Sequence, residues 1–223
     1  MEEYGSIKFL HRGYFSRVHL RAIEHFSKLA GEIEDSHSGQ PHFYIEHRMY
    51  VINSLLSASA FLEAAINEVY QDAYDKHITY LESLDPKIIA TLADFWEMTE
   101  QDNKRIISTL DKYQLALRFA GKEPFNKGEN PYKDASIVIK IRNFLTHYKP
   151  KSLGGDQIHS LEKYLRGKFP ENKTMISSGN PYFPDKALGQ GCTEWAFKSV
   201  RNFADSFFER MVISPAYQQG NFK

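Results

Sequence analysis

HFYIEHRMYVINSLLSASAFLEAAINEVYQDAYDKHITYLESLD, residues 42–85, is the longest stretch of the chain without glycine or proline. Within it Ile52, Leu55, Ser59, Leu62, Ile66, Val69 and Ala73 recur at alternating intervals of three and four. That spacing is the seam of a long amphipathic helix and predicts one over about 44–80.

Outward from this stretch the pattern stays helical. Val18, Ala22, Phe26 and Leu29 predict a helix over 15–34, and the turn-forming run Asp35-Ser36-His37-Ser38-Gly39-Gln40-Pro41 separates it from the long one. Asp85-Pro86 is an N-cap followed by a first-turn proline, opening a helix to about 97. A helix over 103–120, with Leu110, Tyr113, Leu117 and Ala120 on its apolar side, stops at Gly121. Asn130-Pro131 repeats the cap-then-proline signal for a helix over 131–148, which ends before Pro150. Ile137, Val138, Ile139, Ile141, Phe144 and Leu145 make it apolar nearly all round, which predicts a central place in the bundle. Its β-branched residues also suit a strand, but caps and length favour a helix. The last helix, 193–212, carries the core stripe Phe197, Val200, Phe203 or Ala204, Phe207 and Met211. Between the last two helices, 149–190 is an irregular insertion with a short helix over 156–166. The role of residues 169–190 stands open between a lid, a dimer arm and a plain insertion. The expected fold is one all-α domain over 1–223, a bundle of four to five main helices.

Composition narrows the class. With 223 residues, 42% hydrophobic and 25% charged, the chain suits one globular domain, and 16 Phe and 13 Tyr supply a large core. The single Cys192 excludes an internal disulfide and fits a reducing compartment. The N-terminal MEEYGSIKFLHRGYF is broken by charges, unlike a signal peptide, and no segment approaches a span of roughly 20 apolar residues. The expectation is a cytoplasmic protein without a membrane partner. Formal net charge is zero, so no global basic field marks a nucleic-acid binder. Locally, Lys140 to Lys173 holds eight Lys and Arg against Asp156, Glu162 and Glu171.

Arg142-Asn143-Phe144-Leu145-Thr146-His147 carries the chemistry. Metal-independent RNA cleavage needs a group to take the 2′-hydroxyl proton and a fixed cation to stabilise the phosphorane. His147 suits proton transfer as base or acid, and Arg142 suits the cation through its planar, always charged fork. Asn143, four residues before His147, is within reach to orient the ring or the substrate. Five helical residues set Arg142 and His147 roughly 140° apart, so one helix does not clamp one phosphate with both. A homodimer with a composite site at its two-fold interface, each chain giving an Arg and a His, removes that difficulty. Lys149 and Lys151, with the basic 163–173 stretch, would guide an RNA backbone. Arg12 and His19 fit the same spacing, but with Gly13 in the polar slot and close to the N-terminus.

The motif resembles that of the HEPN superfamily (higher eukaryotes and prokaryotes nucleotide-binding): an Arg, a polar residue, then four to six intervening positions in all before His. The resemblance implies an all-α bundle, usually dimeric, and often a metal-independent endoribonuclease that serves as a toxin, a phage-defence effector or an RNA-processing enzyme. A toxin of this kind would have a cognate antitoxin, encoded elsewhere. Some members are inactive binding modules, so the alternative is a non-catalytic helical interaction or RNA-binding protein. Toxins paired with nucleotidyltransferase antitoxins carry a tyrosine two places after the histidine. Here Tyr148 follows at once and Lys149 holds the later position.

Other residues are weaker candidates. Glu63 and Asn67 share a face of the long helix and suit either a second shell holding Arg142 or an exposed stripe. Gly189-Gln190-Gly191-Cys192-Thr193 is either an anion-binding helix start that lowers the cysteine pKa or a simple turn capped by Thr193. His37, His42, His47 and His77 lack metal-ligand spacing, so no metal and no cofactor are expected.

Overall fold

The computed structural model describes residues 12–77, 79–101, 107–150 and 158–218, and among these every regular element is helical. The elements are α1 (Phe15–Ser36), α2 (Ile45–Tyr74), α3 (Pro86–Gln101), α4 (Thr109–Phe119), α5 (Tyr132–Thr146), α6 (Glu162–Leu165) and α7 (Gln190–Met211), followed by a single turn at Ala216–Gln218. The all-α bundle expected from the sequence is therefore present.

Helix α2 is its axis, packed against α1, α3, α4, α5 and α7. Leu55, Ser59, Leu62, Ile66, Val69 and Ala73 of the seam are buried, and so are Val51, Ala58, Phe61, Ala65 and Tyr70 on other sides. Each large apolar side chain so placed contributes roughly 1.5–3 kcal/mol. α2 is also the one described helix long and apolar enough to cross a membrane by composition, contrary to the reading of the sequence, and half of its most apolar stretch is buried within the bundle.

Several boundaries and faces differ from expectation. α2 ends at Tyr74, not near 80, and Arg12 pairs with both Asp72 and Asp75 at that end. There Lys76 turns left-handed at φ 58° while the His77 N–H donates to the Asp72 carbonyl (2.9 Å). No glycine marks that stop. α1 buries Ser16, Ile23, Ser27, Ala30, Gly31 and Glu34, while Val18 is 56% exposed and Ala22, Phe26 and Leu29 lie at the flank. Small residues let α1 approach its neighbours closely: Ser27 shares a hydrogen bond with Thr193 (2.6 Å) and the Ile23 carbonyl accepts from Ser54 (3.0 Å). α5 is lateral rather than central, resting on α2 and α7 with Lys133, Lys140, Asn143 and Thr146 exposed. Its start at Tyr132 has no side-chain cap, so Asn130 does not act as one. Asp85 does cap α3, accepting from the Lys87 N–H (2.8 Å). α4 begins only at Thr109, where Ser108 accepts from the Asp111 N–H (3.2 Å). Gly121 ends the α4 segment at φ 64°, as its type predicts.

Within the expected 149–190 insertion, the described residues 158–189 are irregular but belong to the core, and 151–157 lie outside the described residues. Leu161, Leu165, Met175, Phe183, Ala187 and Leu188 are all buried, and α6 is a single turn. The segment is tied down by Glu34, which is 1% exposed. The Glu34 Oε1 accepts from the Gln190 N–H (2.6 Å) and lies 2.9 Å from His47 Nε2, while Oε2 accepts from the Lys173 N–H (3.1 Å). A carboxylate at a helix N-terminus is favoured by the helix dipole, so Glu34 caps α7 from a distant part of the chain. A Cβ at Gly189 would lie 2.6 Å from that oxygen, which is why the approach needs glycine. Thr193 is not the cap; its hydroxyl donates to the Gln190 carbonyl (2.8 Å). Glu34→Ala strips one buried carboxylate from α1, α2, the 170s and α7 together. It should lower stability by about 3–5 kcal/mol in urea unfolding, with His47 left unpaired.

Candidate functional site

Arg142 and Thr146, one turn apart on α5, face a groove of about 450 Å³ over α2. Its floor is Leu56, Ser59, Ala60, Glu63, Ala64 and Asn67, and its remaining wall is His19 of α1. The polar floor residues fall on one stripe at intervals of four, the spacing of a single helix face. α1 and α5 flank the stripe, with Ser59 buried and Glu63 and Asn67 half-buried.

The Arg142 guanidinium is held by neutral groups. Nε donates to Ser59 Oγ (3.1 Å) and Nη1 donates to Asn143 Oδ1 (3.0 Å). Among the described residues no carboxylate pairs with Arg142 and nothing hydrogen-bonds Nη2. Asn143 thus orients the arginine, not the histidine side chain. Its carbonyl accepts the His147 N–H (3.0 Å), and His147 ends the helix as an exposed C-cap residue. His147 does not line the Arg142 groove, which agrees with the wide angle between the two positions.

Glu63 is not bonded to Arg142. Its Oε2 accepts from Thr109 (3.0 Å) at the first turn of α4, and Lys112 lies 3.9 Å from Oε1. Lys112 also donates to Asn67 Oδ1 (2.8 Å). Glu63 and Asn67 therefore neighbour Arg142 across the floor while serving the α2–α4 contact. Lys149 is exposed after α5, and Lys151 lies outside the described residues. The basic stretch beyond is largely neutralised: Arg166 pairs with Glu162, Lys168 with Asp134 and Lys173 with Asp35. Cys192 is fully buried, and burial pushes its thiol pKa up rather than down. The start of α7 holds the chain's own Glu34 carboxylate where an anion would sit. Among the described residues no three His, Cys, Asp or Glu side chains gather to hold a metal ion.

Two site residues escaped the sequence reading. Ser59 was visible as the one hydroxyl in an otherwise apolar seam. His19 was set aside with Arg12, yet the two part company in the fold: Arg12 is locked to Asp72 and Asp75, and His19 faces the groove.

No family model, no curated protein and no solved structure matches this chain.

Ser59→Ala should cost about 1 kcal/mol and release the Arg142 Nε–H, seen by NMR as faster exchange of that resonance. Glu63→Ala should cost a similar amount through the start of α4 and leave the Arg142 Nε–H as it is.

Proposed function

We propose that the protein is a metal-independent endoribonuclease of HEPN type, acting in the cytoplasm as a homodimer. The observation that carries this reading is Arg142: a cation with no carboxylate partner among the described residues, oriented by Ser59 and Asn143 at the wall of an open groove. Arg12, Arg48 and Arg166 are each committed to an acid of their own chain, whereas Arg142 has none among the described residues. An arginine fixed by neutral acceptors keeps its full charge for an anion arriving from solvent.

In the reaction the ribose 2′-oxygen attacks the adjacent phosphorus, the P–O5′ bond breaks, and a 2′,3′-cyclic phosphate and a 5′-hydroxyl result. No water is consumed. Arg142 stabilises the charge on the phosphorane and His147 transfers a proton. Since His147 lies outside the Arg142 groove of its own chain, it serves the groove of a second copy across a two-fold axis. Lys149 and Lys151 follow the motif and would meet the RNA backbone. A role as toxin or phage-defence effector, with an antitoxin as partner, follows from the same resemblance.

The exposure of His147 outside the groove also favours a second reading, a non-catalytic RNA-binding or interaction module of the same fold. Cleavage decides between them. The wild type should cut single-stranded RNA in excess EDTA. Arg142→Ala and His147→Ala should each lose 100-fold or more (about 2.7 kcal/mol) while keeping thermal midpoints within about 3 °C and the dimer in sedimentation. An inert wild type, or alanine variants that cut as fast, leaves only the binding module.

A further inference from the structure

We propose that His19 is the second proton-transfer group of this site, and that it works in cis with Arg142 on one phosphodiester held in the groove between α1 and α5. The inference rests on the ribonuclease reading above and adds a residue that the motif does not contain.

Placement comes first. His19 lies three residues after Ser16 and four before Ile23, both buried, so it belongs to the α1 face turned toward α2. The register of that face is fixed by Glu68 of α2, whose two carboxylate oxygens accept from the Ser16 N–H (2.8 Å) and hydroxyl (2.6 Å). His19 is therefore held over α2 from one side while Ser59 holds Arg142 from the other, and the two side chains line the same cavity of about 450 Å³.

Availability comes second. Among the described residues no group hydrogen-bonds the His19 ring, whose nearest aromatic neighbour is Phe15 at 6.4 Å between centroids. An unpaired imidazole thus shares a groove with an unpaired edge of a guanidinium. The charged groups lining the cavity with it are Glu63 of α2 and Arg142 of α5, and Lys112 stands beside Glu63. Burial lowers the His19 ring from the usual imidazole value, which favours the neutral form that accepts a proton.

The chemistry then closes with two histidines. His19 takes the 2′-hydroxyl proton as the 2′-oxygen bonds to phosphorus. Arg142 stabilises the phosphorane, and His147 of the second copy protonates the departing 5′-oxygen. The proton gained by His19 and the one lost by His147 are exchanged with solvent between turnovers.

The test uses the full chain with His19→Gln, Arg142→Ala and His147→Ala. EDTA-resistant cleavage of a fluorescent single-stranded RNA is measured across pH, and the imidazole resonances are followed by NMR while inorganic phosphate is added. His19→Gln should slow cleavage 100-fold or more with an unchanged thermal midpoint, and should remove the acid limb of the rate profile. Phosphate should shift the His19 resonances in the wild type and leave them in place in Arg142→Ala. Wild-type cleavage rates in His19→Gln overturn the assignment even while Arg142 and His147 remain essential. His19 resonances that ignore phosphate overturn the shared subsite. An inert wild type overturns the ribonuclease reading and the proton-transfer role of His19 with it; a His19 response to phosphate in that protein supports the shared anion subsite alone.

Discussion

Everything in this fold is arranged around the burial of one helix. α2 is 30 residues long and meets five other helices, so nearly every side chain it carries must suit a neighbour. Apolar and small residues satisfy most of that surface. The stripe where Ser59, Glu63 and Asn67 fall in line lies between two flanking helices, α1 and α5, and its Glu63 and Asn67 are only half-buried. The groove is thus a by-product of how far the packing extends: a polar row on an otherwise enclosed helix has to be reached by water, by partner side chains, or by both.

The two flanks are held by different means, and that difference shapes the site. α1 is fixed against α2 at both ends by carboxylates, Glu68 half-buried and Glu34 buried. Glu68 receives Ser16 at its start, and Glu34 near its end binds His47, the 170s and the first turn of α7. Acids are thereby consumed in joining elements. α5 by contrast rests laterally, its guanidinium held by a hydroxyl and a carboxamide that leave the charge uncancelled. The contrast with the cations downstream is plain. Arg166, Lys168 and Lys173 are each matched by an acid and serve to fasten the 158–189 segment, so the basic composition of that region does not amount to a basic surface.

Much of this was legible before the structure. The alternating three-and-four seam on α2, the Asp85 cap, the stop at Gly121 and the stripe on α7 are local patterns, and local patterns are set by helix geometry alone. The errors share a cause as well. α2 stops six residues early because the chain turns left-handed at Lys76, a residue type that does not announce such a turn. α1 turns a face of serine, alanine and glycine inward because close helix approach rewards small side chains, which a count of large apolar residues overlooks. Asn130 makes no cap, and residues 158–189, irregular by composition, prove to be part of the core through Phe183, Leu188 and the reach of Glu34.

By itself the sequence determined that the chain is helical, roughly where its helices lie, and that Arg142, Asn143 and His147 stand together at the end of one of them. Only the tertiary structure decided which groups share a space with Arg142. Asn143 turns its carboxamide to the arginine, Ser59 comes from 83 positions away, Glu63 is engaged by α4, and His19 enters while Arg12, its neighbour in sequence, is drawn off to Asp72 and Asp75. The physical reason is that helical periodicity fixes which side chains share a face, whereas the partners of that face depend on packing between segments remote in the chain.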